Sequence, residues 1–111
     1  MKMKRLTFAE CELMTKRKLR GNTYLECLNM DTFGIRFHKT IIVRIHRDGT
    51  YTLNSGGWRT VTTKWRINGY SPARVTQMNF EWYCGRYVFF DGIKVDSDGF
   101  VLNADSHLKV G

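Results

Sequence analysis

Residues 55–66 form the densest cluster of groups that could bind an anion. A glycine turn leading into a helix presents backbone N–H groups and the positive end of the helix dipole. Hydroxyl and cationic side chains surround this turn, so we predict a phosphate or carboxylate site. Its members are Gly56, Gly57, Arg59, Thr60, Thr62, Thr63, Lys64 and Arg66.

This segment also has a purely structural interpretation. It lacks the Gly-Lys-Ser/Thr ending of a Walker A phosphate loop. The two glycines could simply connect a strand to a helix, with Trp58 and Trp65 as core anchors. The sequence alone leaves both interpretations open.

A second basic group lies on two predicted strands. Arg36, His38, Arg44 and His46 alternate with apolar residues, so we expect them to share the outer face of a sheet. Such a face could follow a phosphate backbone, with Tyr51 or a neighbouring aromatic residue as a stacking platform. The alternative is an ordinary solvated face.

The basic charge is concentrated in the first two-thirds of the chain. Residues 1–74 hold 15 Lys or Arg against 5 Asp or Glu, whereas residues 75–111 hold 3 against 5. Four like charges within residues 16–20 must stay exposed. This imbalance predicts an anionic partner, namely nucleic acid, a nucleotide or an acidic protein surface, although basic charge can also serve solubility. The four cations are Lys16, Arg17, Lys18 and Arg20.

No combination of residues indicates catalysis or a metal site. The histidines and cysteines lack zinc-ligand spacing, and no nucleophile with a base can be assigned. Residues 96–99 have only part of a calcium loop. We therefore predict a binding protein without catalytic activity, cofactor or metal, whose three cysteines are reduced thiols.

The elements that must position these residues are mostly strands. Thr7 and Glu10 have capping-box spacing, which predicts a helix at 8–14. Period-2 alternation over 33–53 predicts an antiparallel meander. On its middle strand Ile41, Val43 and Ile45 are expected on the core face, and Ile42 on the outer face with Arg44 and His46. A second helix is expected at 60–70, with Val61 and Trp65 on one face. The fold class is α+β, with a curved antiparallel sheet of about five to seven strands and one or two short helices; the remaining strands are expected at 23–28, 75–78, 80–84, 87–90, 93–95 and 100–102.

The length of 111 residues fits one domain over 1–111, with 1–5 and 104–111 as ends that could fray. The longest apolar runs are too short to span a bilayer, and the acidic residues Glu10 and Glu12 interrupt any secretory signal. We expect no membrane partner and a cytoplasmic location.

Three stretches resemble a group of small phage-encoded proteins. They are residues 22–26 (NTYLE), the Phe37-His38-x-Thr40 corner and residues 53–68 (LNSGGWRTVTTKxRIN). The similarity extends from about Thr15 to residues 90–93. Trp65 departs from the pattern, because a charged residue such as aspartate is expected there. The resemblance implies a viral accessory role, in the cytoplasm of an infected bacterial host, without indicating an activity.

Two functions follow as hypotheses. The first is a phage accessory protein that binds nucleic acid through a basic surface. The alternative is an inhibitor or decoy of a host antiviral defence system, which binds a host protein complex or sequesters a nucleotide signal. An extended basic surface would favour the first, and a compact pocket or protein-binding surface the second.

Overall fold

The computed structural model describes residues 3–104, which form two helices and nine strands in two antiparallel sheets. The predicted α+β class is confirmed. The helices are α1 (Phe8–Leu13) and α2 (Val61–Tyr70); the strands are β1 (Lys18–Arg20), β2 (Thr23–Asn29), β3 (Thr32–Phe37), β4 (Thr40–His46), β5 (Tyr51–Leu53), β6 (Val75–Met78), β7 (Glu81–Cys84), β8 (Tyr87–Val88) and β9 (Ile93–Val95).

The larger sheet has six strands in the order β1-β2-β3-β4-β5-β9 within the described part of the chain. The first five strands are neighbours in sequence and pair as a meander. β9 then pairs with β5, with Tyr51 opposite Val95 and Leu53 opposite Ile93. This long-range pairing places a late segment of the chain beside the central strands.

The register between β3 and β4 shifts at Ile42. Val43 pairs with Ile35 but Ile41 pairs with Arg36, so Ile42 is an extra residue on β4. Such a bulge reverses the side to which the following residues point. Ile42 is buried and Ile41 half-buried. Ile41 therefore faces the same side as Arg36 and Ile42 faces the core, so the prediction that Ile41 points inward and Ile42 outward was wrong.

One face of the larger sheet supplies most of the hydrophobic core. Ile35, Val43 and Leu53 are fully buried on this inner face. They belong to one cluster with Ile67 of α2 and Trp82 of the three-stranded sheet β6-β7-β8. The helices and the smaller sheet thus lie on the inner side and leave the opposite face of the larger sheet for other contacts.

Both helices begin as the sequence predicts. The Thr7 hydroxyl accepts the Glu10 N–H and the Glu10 carboxylate accepts the Thr7 N–H, which confirms the capping box at α1. Thr60 caps α2 by accepting the Thr63 N–H at 3.2 Å. Within the described residues, no helix is long and apolar enough to cross a membrane.

The orientation of α2 differs from the expectation. Its buried residues are Thr63, Arg66, Ile67 and Tyr70. Val61 and Trp65, the expected packing face, are exposed to 69% and 47%.

Trp58 is also exposed, to 73%, so the interpretation of Trp58 and Trp65 as core anchors was wrong. Trp82 is the fully buried tryptophan. Its ring packs edge-on against Phe89, with the ring centres 5.3 Å apart.

The three cysteines are free thiols in two environments. Cys11 and Cys84 are fully buried, whereas Cys27 is exposed near the end of β2. Burial raises the pKa of the Cys11 thiol to about 11 and also raises the pKa of Cys84. The buried pair are therefore protonated packing residues.

The N-terminal segment is anchored where the structure describes it. The Leu6 N–H donates to the Tyr70 carbonyl oxygen at 3.2 Å, and Arg5 donates to the Ser97 carbonyl oxygen at 3.0 Å. Met3 packs against the core. The remainder of the segments predicted to fray, residues 1–2 and 105–111, lies outside the described residues.

Candidate nucleic-acid interface

Cation-bearing positions on four strands share the face of the larger sheet that points away from the core. Arg44 on β4 pairs with Gly34 on β3 and with Thr52 on β5, and Thr52 pairs with Lys94 on β9. Directly paired residues point to the same side of a sheet. Two strand spacings, about 10 Å, separate the backbones of β4 and β9. We call this surface the outer face; its residues are Lys18, Tyr24, Glu26, Thr32, Gly34, Arg36, Ile41, Arg44, His46, Thr52 and Lys94.

Arg36 connects the β2 side of the outer face with an aromatic ring. Its guanidinium forms an ion pair with Glu26 and lies over the Tyr24 ring, 5.0 Å from the ring centre. Tyr24 in turn pairs with Lys18 on the edge strand β1. All four side chains are partly or fully exposed, so a ligand lying across the strands could contact both cations and the ring.

His46 lies on this face with Arg44 and Lys94. Its ring nitrogens lie 3.3 Å from the Thr32 hydroxyl and 2.7 Å from the Thr52 hydroxyl. Burial is the main cause that lowers the pKa of His46, and Lys94 and Arg44 lower it further, while Asp48 opposes them. The neighbouring cations thus oppose protonation of His46, although burial, which disfavours charge of either sign, is the larger cause.

The structure divides the second predicted group. Arg36, Arg44 and His46 share the outer face as expected, but His38 does not. β3 ends at Phe37, and His38 lies in the following turn with φ of 56°. Tyr51 is not a surface platform either, because it is buried and its hydroxyl donates to the Leu6 carbonyl oxygen at 2.7 Å.

The cations of residues 16–20 lie along the β1 edge. Lys16, Arg17 and Lys18 are exposed. Arg17 lies 5.6 Å from the Phe33 ring centre, and Lys18 joins the outer face. Arg20 pairs with Thr23 on the opposite side of the strand, where its guanidinium lies 4.6 Å from the Trp65 ring centre. The edge strand therefore places cations on both sides of the sheet.

The glycine loop before α2 uses its own acceptors for the N–H groups predicted to bind an anion. Gly56 donates to the Asn54 side chain at 2.6 Å and Gly57 to the Ser55 hydroxyl at 3.2 Å. Trp58 donates to the Ser55 carbonyl oxygen at 3.0 Å. These three amides hold the loop in shape, and this part of the predicted anion cradle is already occupied.

Asp91 fixes this loop from a distant part of the chain. One of its carboxylate oxygens accepts both the Ser55 N–H and the Ser55 hydroxyl, each at 2.7 Å. Gly56, with φ of 64°, lies so close to Thr40 that an added Cβ would meet the threonine hydroxyl at 2.4 Å. The loop conformation is therefore specified by its neighbours.

The three cations of the predicted cradle do not converge on one point. Arg59 forms an ion pair with Glu81 at 3.5 Å, and its guanidinium lies near the Trp82 and Phe89 rings. Lys64 donates to Gln77 at 3.5 Å. Arg66 is buried and donates to the Thr23 hydroxyl and the Thr62 carbonyl oxygen; burial lowers its pKa. Arg66 thus has a packing role in place of the expected surface position.

The threonines of the same segment line a cavity of about 410 Å³. It opens between the β3–β4 turn and the start of α2, and we call it the turn cavity. Apolar walls come from Phe37, Ile42 and Trp58. Polar groups are His38, Lys39, Thr40, Ser55, Thr60, Thr62 and Thr63. His38 and three of the predicted threonines are therefore brought together here, which their separation in sequence did not indicate.

Sequence reasoning missed Lys94, Tyr24 and Asp91. Lys94 and Tyr24 each lie between two buried residues of a strand, so their alternation carried a signal. Only the pairings of β9 with β5 and of β2 with β3 place them beside Arg44 and Arg36. Nothing local in the sequence indicated that Asp91 contacts Ser55.

Comparison with known proteins identifies the family. No curated protein and no solved structure matches the chain significantly. The family model described as Kyanoviridae Gp96 protein matches residues 2–101. The chain therefore belongs to this family, which supports the resemblance to small phage-encoded proteins.

Proposed function

We propose that this Kyanoviridae Gp96 family protein is a phage accessory protein that binds nucleic acid through the outer face, in the cytoplasm of the infected host. The observation that carries the proposal is the cross-strand row from Arg44 through Thr52 to Lys94. Lys18 adds a further cation at β1, and Arg36 adds a guanidinium that is ion-paired with Glu26. An extended row of cations suits a polyanion, because successive phosphates can each meet a positive side chain.

The contacts also indicate the type of binding. The outer-face cations lie on strands, and a sheet face lacks the helix or ribbon that would enter a major groove to read bases. Binding through phosphates carries no sequence information by itself. The proposal is therefore weak binding without sequence preference, with affinities at the micromolar level or weaker at physiological salt.

The test is fluorescence anisotropy of labelled oligonucleotides at several salt concentrations. We expect affinity to fall on the order of tenfold or more between low and physiological salt. The double variant Arg44→Gln, Lys94→Gln should weaken binding at low salt by about tenfold. Arg86→Gln is the matched control for one lost charge, because Arg86 is exposed in the turn between β7 and β8 of the smaller sheet. No binding at low salt, or an equal per-charge loss in the control, would contradict the proposal.

A second candidate function is inhibition of a host antiviral defence by binding a host protein. The observation that favours it is the β6–β7 hairpin tip, where Phe80 is 97% exposed and Met78 is 57% exposed. Asn79 and Phe80 have φ of 52° and 68°. A left-handed backbone costs a non-glycine residue roughly 1–2 kcal/mol. An exposed aromatic side chain in such a position is a suitable anchor for a protein interface.

This second candidate has a separate test. Phage plating would be measured on bacteria that carry a defence system and express the protein or its Phe80→Ser variant. Restored plating with the parent and its loss with the variant, while anisotropy shows unchanged nucleic-acid binding, would support the decoy. Equal plating for both proteins would remove Phe80 from consideration.

A further inference from the structure

We infer that the turn cavity and the exposed side of α2 hold unpaired bases of a single-stranded nucleic acid. This inference rests on the proposed function, since it specifies the form of nucleic acid that the protein prefers. The surface concerned is separate from the outer face. It consists of the cavity wall at Trp58 and Phe37, and of the Trp65 and Arg20 side chains beside it.

The first observation is an exposed ring on a fixed loop. Trp58 is 73% exposed although it lines the turn cavity. Its backbone N–H is bonded to Ser55, and Ser55 is bonded twice to Asp91. A large aromatic side chain on a loop held in this way can accept a flat ring with little further ordering.

The second observation is the composition of the cavity. Its volume of about 410 Å³ lies in the range of small-ligand sites. Phe37, Ile42 and Trp58 supply apolar walls, and four threonines supply hydroxyl groups that can donate or accept at a base edge. No Asp or Glu lines the cavity among the residues that the structure describes, whereas His38 and Lys39 do. These groups suit a heterocyclic base with an attached phosphate.

The third observation is a series of rings and guanidinium groups that continues from the cavity along α2. The buried Arg66 lies 4.1 Å from the Phe37 ring centre and 6.0 Å from that of Trp65, so it supports the two rings from the core side. Arg20 lies 4.6 Å from the Trp65 ring centre. Trp65 is 47% exposed, so a second base could stack on it. Alternating aromatic and cationic groups are the usual means of binding single strands.

The cavity also adjoins the outer face. Arg36 on that face donates from Nη1 to the His38 carbonyl oxygen at 3.0 Å, and His38 lines the cavity. A strand whose phosphates follow the outer-face cations could therefore turn its bases toward Trp58 at the β3–β4 turn. Paired bases in a duplex cannot reach such a site without leaving the stack, which is unfavourable.

Tryptophan fluorescence provides a direct readout. Addition of oligothymidylate should quench the emission of the parent protein. The double variant Trp58→Phe, Trp65→Phe retains only Trp82, which is fully buried, and its emission should respond little. Anisotropy should show tighter binding of the single strand than of a duplex of equal length.

Affinity measurements on matched variants separate stacking from charge. Trp58→Ala should weaken oligothymidylate binding about tenfold, and Trp58→Phe should retain most of the affinity. Phe100→Ala is the control, because Phe100 is 69% exposed and lies away from the cavity. Its neighbour Gly99 packs against Pro72, just beyond the C-terminal end of α2, whereas the cavity lies at the start of that helix. Thermal melting checks that all variants are folded.

The outcomes distinguish the two proposals. If Trp58→Ala binds oligothymidylate as tightly as the parent, or if duplex and single strand bind equally, the stacking inference is overturned while outer-face binding stands. If neither form binds at low salt, both are overturned. Loss of affinity in Trp58→Ala with unchanged melting temperature supports base stacking.

Discussion

Arg66 on α2 donates from Nε to the hydroxyl of Thr23 on β2, with the two atoms 2.7 Å apart. Thr23 is fully buried and Arg66 is only 8% exposed. A second bond from Arg66 to the Thr62 carbonyl oxygen, at 3.2 Å, fixes the guanidinium on its own helix. The pair therefore joins α2 to the larger sheet through polar groups inside the core.

Replacing Arg66 should lower the free energy of unfolding. In Arg66→Met the apolar stem is kept, but the Thr23 hydroxyl loses its donor, which costs about 1–3 kcal/mol in the free energy of unfolding. Urea unfolding measures the change. The exposed Arg74 provides the control, because Arg74→Met should change stability by less than about 0.5 kcal/mol. Equal effects in the two variants would contradict a structural role for Arg66.

The tryptophans should differ sharply in their contribution to stability. Trp82→Ala removes a fully buried ring from the core and should cost roughly 3–5 kcal/mol. Trp58→Ala removes a ring that is 73% exposed and should cost less than about 1 kcal/mol. Thermal melting distinguishes the two. A large loss of melting temperature in Trp58→Ala would show that Trp58 supports the fold.

The glycine pair before α2 offers a test of close packing against backbone strain. Both Gly56 and Gly57 have positive φ, so alanine costs roughly 1–2 kcal/mol at either position. At Gly56 the new Cβ would also collide with Thr40, whereas at Gly57 nothing lies within 4 Å. Gly56→Ala should therefore be the more destabilising in urea unfolding. Combination with Thr40→Ala should recover part of the difference; no recovery would remove the steric explanation.

His46 should make stability and binding depend on pH in opposite directions. The folded protein lowers the pKa of His46 below the ordinary value of 6.5. The unfolded chain then binds more protons below about 6.5, so the free energy of unfolding should fall as pH decreases from about 6.5 toward the folded pKa. Phosphates on the outer face would favour the protonated ring, so oligonucleotide affinity should rise over the same range.

Urea unfolding and anisotropy between about pH 5 and pH 8 measure the two trends. In His46→Gln both pH dependences should become weaker. Persistence of both trends in that variant would assign them to other groups.

Phe80→Gly should stabilise the protein. Asn79 and Phe80 form a two-residue hairpin loop with positive φ at both positions, for which Asn-Gly is the preferred sequence. Relief of the left-handed aromatic residue should add about 1 kcal/mol to the free energy of unfolding, despite the greater freedom of glycine in the unfolded chain. Unchanged or lower stability would show that the Phe80 side chain contributes packing of its own.

The sequence predicts the elements better than their faces. Period-2 alternation located β3, β4 and β5, and the threonine caps located both helix starts. The buried side of α2 could not be read, because it consists of Thr63, Arg66, Ile67 and Tyr70, whereas the apolar Val61 and Trp65 point outward. The bulge at Ile42 reverses an alternation that looks continuous in sequence. β1 was missed because its charges resemble those of a loop.

The candidate site shows the same limit. Arg36, Arg44 and His46 were placed correctly because each alternates with buried residues on its own strand, and the bulge at Ile42 brings Arg44 and His46 to the side of Arg36. Lys94 shares their face only because β9 pairs with β5. His38 does not share it, because β3 ends at Phe37, one residue before His38. The turn cavity combines residues from the β3–β4 turn and the start of α2, about twenty positions apart, and local patterns do not encode such contacts.

Because two cysteines are buried and one is exposed, the protein can be labelled at a single position. In the folded protein a maleimide dye should attach at Cys27 alone, because burial keeps the Cys11 and Cys84 thiols inaccessible and protonated. Cys27 pairs with Phe33 and therefore points to the side of β2 opposite the outer face. A dye introduced without any mutation would thus sit behind the proposed binding surface without covering it, where energy transfer to a labelled oligonucleotide could report the direction in which the strand runs.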